Sequence, residues 1–174
     1  MADQIEIDVW QGEIADLEVD GIVLPANESL FMTSALAAAV KRRAGIRVEQ
    51  AAVAQGPIRA GNAVVTEGGD LAAPYLIHAV AVGHDRLADP TRLAAATAAA
   101  LTAADALGLR TLAVANLGSG QGVFAPADSA AIIVAEILRH AEAGSNIESI
   151  VLTVASAAER SSVLTALRAS AEAR

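Results

Sequence analysis

The residues best suited to chemistry in this chain offer main-chain groups rather than charged side chains. Asn116–Leu117–Gly118–Ser119–Gly120–Gln121–Gly122–Val123–Phe124 places three glycines within five positions, between a short apolar run and a helix-forming stretch. Glycines let a chain fold tightly and turn successive N–H groups inward, and such a nest at a helix N-terminus suits a phosphate or pyrophosphate. No Gly-Lys-Ser/Thr follows, so it is not a Walker loop, and it does not lie on the first strand-to-helix turn, where the dinucleotide fingerprint belongs. A tight connection without a ligand is the alternative reading of the same glycines. Ser119 stands between two of them but not in a Gly-x-Ser-x-Gly elbow, and no base accompanies it. Phosphate bonding by its hydroxyl is the better assignment, and no catalytic residue is named.

The remaining polar side chains divide the same way. The chain has no cysteine, which excludes disulfides, thiol nucleophiles and thiolate metal sites. Its three histidines are too far apart for metal-ligand spacing, so no metal or cofactor is expected. His78 lies in an apolar run and reads as a structural histidine bonded to backbone. His84–Asp85–Arg86 reads as a solvated polar loop, and His140, near Arg139 and Glu142, as part of an exposed helix side. Trp10 reads as packing at a sheet edge. Lys41, Arg42 and Arg43 close a helix and complement its dipole.

Twelve Lys and Arg against 20 Asp and Glu give a net charge of −8. That argues against a grip on duplex nucleic acid, which needs clustered cations, but not against a small anion bound by N–H groups. No stretch is long and apolar enough to be a membrane span, and the N-terminus carries no basic segment leading into an apolar one. A cytoplasmic protein with no membrane partner is the expectation.

These residues need elements to hold them. Ile5, Ile7 and Val9 alternate with Glu6 and Asp8, which predicts a strand with one wetter face. Gly21–Ile22–Val23–Leu24 suits a strand buried on both faces, with Pro25 stopping it. Thr33 or Ser34 caps a helix over Ala35–Arg43 closed by Gly45, and a second helical piece covers Arg47–Gln55. Ala63–Thr66 and Leu76–Val82 predict strands, and Asp89–Pro90 opens a helix running to about Leu107. Thr111–Ala115 and Ile150–Val154 predict strands, each followed by a helix, Pro126–Ala141 and Ala157–Ser170. Strands alternating with helices predict one α/β domain over residues 1–174. Its form is a three-layer α/β/α sandwich with a mixed, mainly parallel sheet. The opening strand pair and the Ala63–Thr66/Leu76–Val82 pair are the candidates for antiparallel edges.

Four segments together carry a family resemblance. Gly21–Asn27, Gly61–Gly69 and Tyr75–Val80 follow one another at the spacing of the macro domain. Leu117–Phe124 then falls where that family keeps its phosphate loop. The resemblance covers roughly residues 3 to 170. Macro domains bind ADP-ribose, and some hydrolyse ADP-ribosyl linkages or related esters. The resemblance therefore implies that Gly118, Ser119, Gly120, Gln121 and Gly122 cradle a diphosphate, opposite Ser34, Ala35 and Leu36 on the first phosphate loop. It also places Asn27 at the distal ribose with Val123 and Phe124 beside it, and Glu13 and Ile14 near the adenine. A loop residue closing an Asx turn is the alternative reading of Asn27.

The chain departs from the family pattern in places. Gly12–Glu13–Ile14 replaces Gly-Asp-Ile, and Leu24–Pro25–Ala26–Asn27 replaces Asn-Ala-Ala-Asn. The first phosphate loop reads Thr33–Ser34–Ala35–Leu36–Ala37–Ala38 instead of a glycine run. Alanine at a left-handed position is strained by about 1 kcal/mol, so this loop should take another path. Ala37 stands where hydrolytic members place an aspartate. Val123, in place of a glycine, should narrow the distal ribose site, and the last strand ends without the aromatic that stacks on adenine in several members. Three readings stand: a binding module for ADP-ribose or a related metabolite, a hydrolase of ADP-ribose esters or ADP-ribose-1″-phosphate, and a degenerate relative with a role in assembly.

Overall fold

A strand without polar side chains must be covered on both faces, and the architecture is arranged around one. The computed structural model describes residues 4–173. The strands are β1 (Glu6–Gln11), β2 (Gly21–Pro25), β3 (Ala63–Glu67), β4 (Tyr75–Ala79), β5 (Thr111–Ala115) and β6 (Ser149–Val154). The helices are α1 (Ala35–Ala44), α2 (Ile46–Val53), α3 (Pro90–Ala106), α4 (Pro126–Glu142) and α5 (Ala157–Glu172), with a single 3-10 turn at Ile14–Asp16. The strands form one sheet in the order β1-β6-β5-β2-β4-β3. All neighbours are parallel except β3, which is antiparallel to β4.

Every residue of β2 is buried. Its Val23 packs with α3, α4 and α5 on one face, against Leu93, Leu101, Ile133 and Ile137. Its Ile22 and Leu24 face the other way, toward Val40 of α1 and Val48 of α2. Each such side chain contributes about 1.5–3 kcal/mol when fully buried. Ala96, Ala100 and Ala104 form one buried stripe along α3, where small side chains let the helix approach the strands closely. The result is the expected three-layer α/β/α arrangement.

The antiparallel pair at Ala63–Glu67/Tyr75–Ala79 is present, but the opening pair is not. β1 lies parallel to β6, from Glu6↔Ser149 to Gln11↔Val154, with β6 and β5 between it and β2. The burial patterns explain this. A strand apolar on both faces belongs in the middle of the sheet, and one alternating with Glu6 and Asp8 belongs at its edge.

Two hydrogen-bonded details set the shape of the sheet. The Asp20 carboxylate accepts from the N–H groups of Arg110 (2.8 Å) and Thr111 (3.0 Å), while the Asp20 N–H donates to the Thr111 hydroxyl (2.9 Å). These bonds, the one from the Arg110 N–H first, hold the Asp20 carboxyl below its ordinary range. They also clamp β2 to β5 at the start of both strands. At the other end the two strands part. Their pairing runs only from Gly21↔Leu112 to Val23↔Val114. Leu24 and Pro25 stay with β4, and Ala115 stays with β6.

Two histidines sit otherwise than the sequence predicts. His78 is buried, as expected, but its Nε2 meets the Thr66 hydroxyl at 2.9 Å rather than a backbone group. Thr66 and His78 are diagonal neighbours on one face of the β3–β4 pair, within side-chain reach. His140 is not on an open helix face: it is half-buried between α4 and α3, with its ring against the Asp105 carboxylate.

Burial pushes the His78 imidazole down to about 4. Unfolded histidine takes its proton near pH 6.5, so between those values the unfolded chain binds more protons. Stability therefore falls as pH drops through that window. His78→Gln keeps a partner for Thr66 without titrating. Its urea midpoint should fall less than that of the wild type between about pH 7 and about pH 5, and equal losses would refute this account.

Candidate functional site

Beyond the Val23↔Val114 pair, β2 leads into α1 on one face of the sheet and β5 leads into α4 on the other. An open α/β sheet whose neighbouring strands depart to opposite faces has a crevice at their carboxyl ends, and ligands bind there. Two connected hollows occupy this crevice. The first, about 320 Å3, lies among Gly12, Ile14, Ser34, Ala35, Leu36, Asn116, Ser119, Gly120, Gln121, Val154, Ala155 and Glu159. The second, about 270 Å3, lies among Ala26, Asn27, Phe31, Thr33, Ala37 and Arg86. Pro25, Ser34, Ala35, Gly120 and Gln121 line both and form the neck between them.

The neck is a meeting of helix and loop. Ser34 caps α1, its hydroxyl accepting from the Ala37 N–H (3.2 Å), and Ala35 begins the helix directly. No residue from Phe31 to Ala38 has a positive φ, so the alanines are unstrained and the helix terminus itself forms this wall. Across from it, Gly118 (φ +83°) and Gly122 (φ +72°) turn the second loop. That loop closes on itself: the N–H groups of Gly122, Val123 and Phe124 donate to the Ser119 and Gly118 carbonyls at 3.0–3.2 Å. The N–H groups of Ser119, Gly120 and Gln121, and those of Ala35 and Leu36, find no acceptor among the described residues. All five residues line the first hollow. Such a set of donors at a helix N-terminus has the chemistry to hold an anion.

Side chains around these donors are largely committed to one another. Asn27 Nδ2 donates to the Phe31 carbonyl (2.9 Å) and the Thr33 hydroxyl (3.3 Å), while its Oδ1 accepts from Ser29 (2.8 Å). It braces the loop and lines the second hollow at once. The Ser119 hydroxyl donates to the Asn116 carbonyl (3.0 Å) and lies 3.4 Å from the Glu159 carboxylate. Glu159 also accepts from the Asn116 side chain (3.2 Å) and the Ala155 N–H (2.7 Å). This fixes the ends of β5 and β6 against the glycine loop. The Gln121 Oε1 is a buried acceptor with no donor among the described residues, an arrangement costing roughly 1–3 kcal/mol. Among the described residues Arg86 brings the one cation that lines the two hollows, and its guanidinium donates to the Gln121 carbonyl at 2.6 Å.

Residues 23–133 match the family model of the macro domain. The chain belongs to the macro domain family. A macro domain-containing protein of Cupriavidus necator is 34% identical over 151 residues, which cover 83% of this chain and 87% of that protein. An uncharacterized protein of Mycobacterium tuberculosis is 39% identical over 139 residues, 78% of this chain but 38% of its own length. The chain thus spans under two fifths of the mycobacterial relatives it matches. Among solved structures, the Trypanosoma brucei macrodomain in complex with ADP-ribose matches with a TM-score of 0.88 at 20% identity, over 96% of this chain and 71% of that one. At that identity the likeness is one of fold.

In this macro domain, Ile14, Asn27, Ser34, Ala35, Leu36, Ser119, Gly120 and Gln121 come together around the two hollows, as the sequence groups them. The other assigned residues are placed differently. The Glu13 side chain is 77% exposed and turns to Arg43 (3.4 Å), which also holds Asp16 (2.8 Å). Gly118 and Gly122 shape the loop without lining either hollow. Phe124 is buried beneath Gly118 in the core with α3, α4 and α5, and Val123 packs against the same core instead of narrowing the second hollow. Trp10 covers Gly12, whose added Cβ would lie 2.4 Å from the ring. Arg86, Asn116 and Glu159 are hydrogen-bonding cleft residues that the sequence reading did not assign to the site. For Arg86 a signal existed: β4 is parallel to β2, so the loop leaving it must open at the ligand end.

The loop's geometry separates its glycines. A Cβ at Gly118 would meet Phe124 at 2.6 Å in a left-handed backbone, whereas one at Gly120 would meet nothing within 4 Å. Gly118→Ala should therefore lose about 1–2 kcal/mol of stability from the backbone alone, and Gly120→Ala almost none. Thermal unfolding of the two variants side by side checks this, and equal midpoints would contradict the placement of Phe124.

Proposed function

We propose that this macro domain binds ADP-ribose or a closely related adenosine diphosphate derivative. In this reading the diphosphate lies at the neck, the adenosine in the first hollow and the distal ribose in the second. The observation that carries it is the set of five N–H groups, from Ala35, Leu36, Ser119, Gly120 and Gln121, without acceptors among the described residues. A diphosphate supplies several acceptors in one group, as donors from two facing stretches require. The two hollows on either side, about 320 and 270 Å3, support a ligand with a bulky group at each end of its diphosphate. The Trypanosoma brucei relative, crystallised with ADP-ribose, supports the same ligand class.

The composition of the walls shapes the expected affinity. The first hollow offers Ile14, Leu36 and Val154 to the base, and no aromatic residue is among those lining it. Stacking on an aromatic contributes about 1–3 kcal/mol per base in nucleic-acid complexes, so binding rests more heavily on the diphosphate. The second hollow has no carboxylate among its lining residues, and Ala37 presents a methyl group there. Binding without turnover is the reading this supports. The net charge of −8 opposes an anion only at long range, because salt screens exposed charges beyond about 8–10 Å.

Isothermal calorimetry tests the proposal directly. ADP-ribose and ADP should both bind, AMP should bind at least about tenfold more weakly for lack of the second phosphate, and ADP-ribose should emerge unhydrolysed. Gly120→Glu places a carboxylate in the neck at a position open enough to accept a side chain. It should leave the melting temperature near that of the wild type and abolish binding of both nucleotides. Undiminished affinity in that variant would overturn the assignment of the seat.

A further inference from the structure

We infer that Arg86, beside the neck on the side of the second hollow, favours a terminal monoester as the second phosphate of the seat, so that the domain prefers nucleotides ending in that phosphate over those that continue into a neutral sugar. The inference rests on the diphosphate seat proposed above and goes beyond it by naming the form of its second phosphate. Arg86 is the only charged side chain lining either this hollow or the neck among the described residues, apart from Glu159 at the far side of the first. It shares the hollow with Ala35, Gly120 and Gln121, whose N–H groups belong to the seat. The guanidinium therefore stands on the distal side of the second phosphate. One of its donors holds the Gln121 carbonyl at 2.6 Å, and among the described residues no carboxylate pairs with the others. A guanidinium has five donors in a planar fork suited to phosphate.

The segment that presents Arg86 is built to hold it there. Arg86 has a φ of +55°, a left-handed backbone that a bulky residue rarely adopts. The turn around it is fixed by the Arg86 N–H to the Gly83 carbonyl (3.0 Å) and by the two-point pairing of Asp85 with Arg92 (2.7 and 2.9 Å). The Glu28 carboxylate adds an anchor at the His84 N–H (2.9 Å). Nearby acids are thus engaged with Arg92 and His84, and the exposed Arg86 guanidinium stands at the edge of the hollow. ADP ends in a phosphate monoester bearing nearly one more negative charge than the diester of ADP-ribose, and that additional charge lies on the Arg86 side.

The test compares ADP, ADP-ribose and AMP by calorimetry on the full chain, as wild type, Arg86→Gln and Arg86→Lys. Arg86→Gln should weaken ADP by about tenfold, the scale of one charge-assisted hydrogen bond. ADP-ribose should weaken by clearly less, AMP should hardly change, and Arg86→Lys should restore part of the ADP affinity. A uniform loss across ADP and ADP-ribose, or no loss for either, would mean that Arg86 merely latches the loop, and this inference fails while the seat stands. If neither ADP nor ADP-ribose binds the wild type, the proposed function fails and this inference with it.

Discussion

A backbone N–H group without an acceptor is a cost to a fold, and among the described residues five of them face one another along the first hollow and its neck. Within an element the backbone satisfies itself, but at the start of α1 and across Ser119–Gln121 the chain geometry forbids it. The parting of β2 and β5 after Val23↔Val114 keeps these two stretches from bonding to each other. Asp20 holds the two strands together at their beginnings, so the parting lies at their far ends alone. The grouping of these donors is thus a consequence of sheet topology, and peptide dipoles alone would make it attractive to an anion.

Around those donors, the supporting residues are those that fix backbone rather than those that reach outward. Phe124 fills the space below Gly118, Ser34 closes the first turn of α1, and Glu159 gathers Asn116, Ser119 and Ala155 into one network. Asn27 spends both ends of its amide on its own loop. Substitutions among the lining side chains can therefore change affinity while the donors stay in place. Substitutions beneath them disturb the donors themselves.

Much of this was legible from residue order. β2 shows itself as a doubly buried strand because it has no polar side chain. The Gly118–Gly122 loop shows itself because few other sequences permit such a path. The helix opening at Asp89–Pro90 follows from local capping, and the Asp89 carboxylate does accept from Thr91 and Arg92. What stayed hidden depends on packing between distant segments. β1 could be recognised as a strand but not as the neighbour of β6, 143 positions away at Glu6↔Ser149. His140 looks exposed beside Arg139 until α3 brings Asp105 to it. Phe124 carries no mark that distinguishes a core residue from one facing a sugar, since an aromatic ring suits either. Arg86 was obscured by its neighbours: in sequence, His84–Asp85–Arg86 is a run of hydrophilic residues, and only the pairing of Asp85 with Arg92 leaves Arg86 on its own.

The placement of Trp10 has an optical consequence. It is the sole tryptophan in the chain, and its ring rests on Gly12, a residue of the first hollow's wall. With one indole, emission from the whole molecule reports on a single location. A purine settling near Gly12 would alter the polarity around that indole and quench or shift its fluorescence. The protein thereby carries its own chromophore beside the cleft, and a nucleotide bound there would be readable in dilute solution without any label.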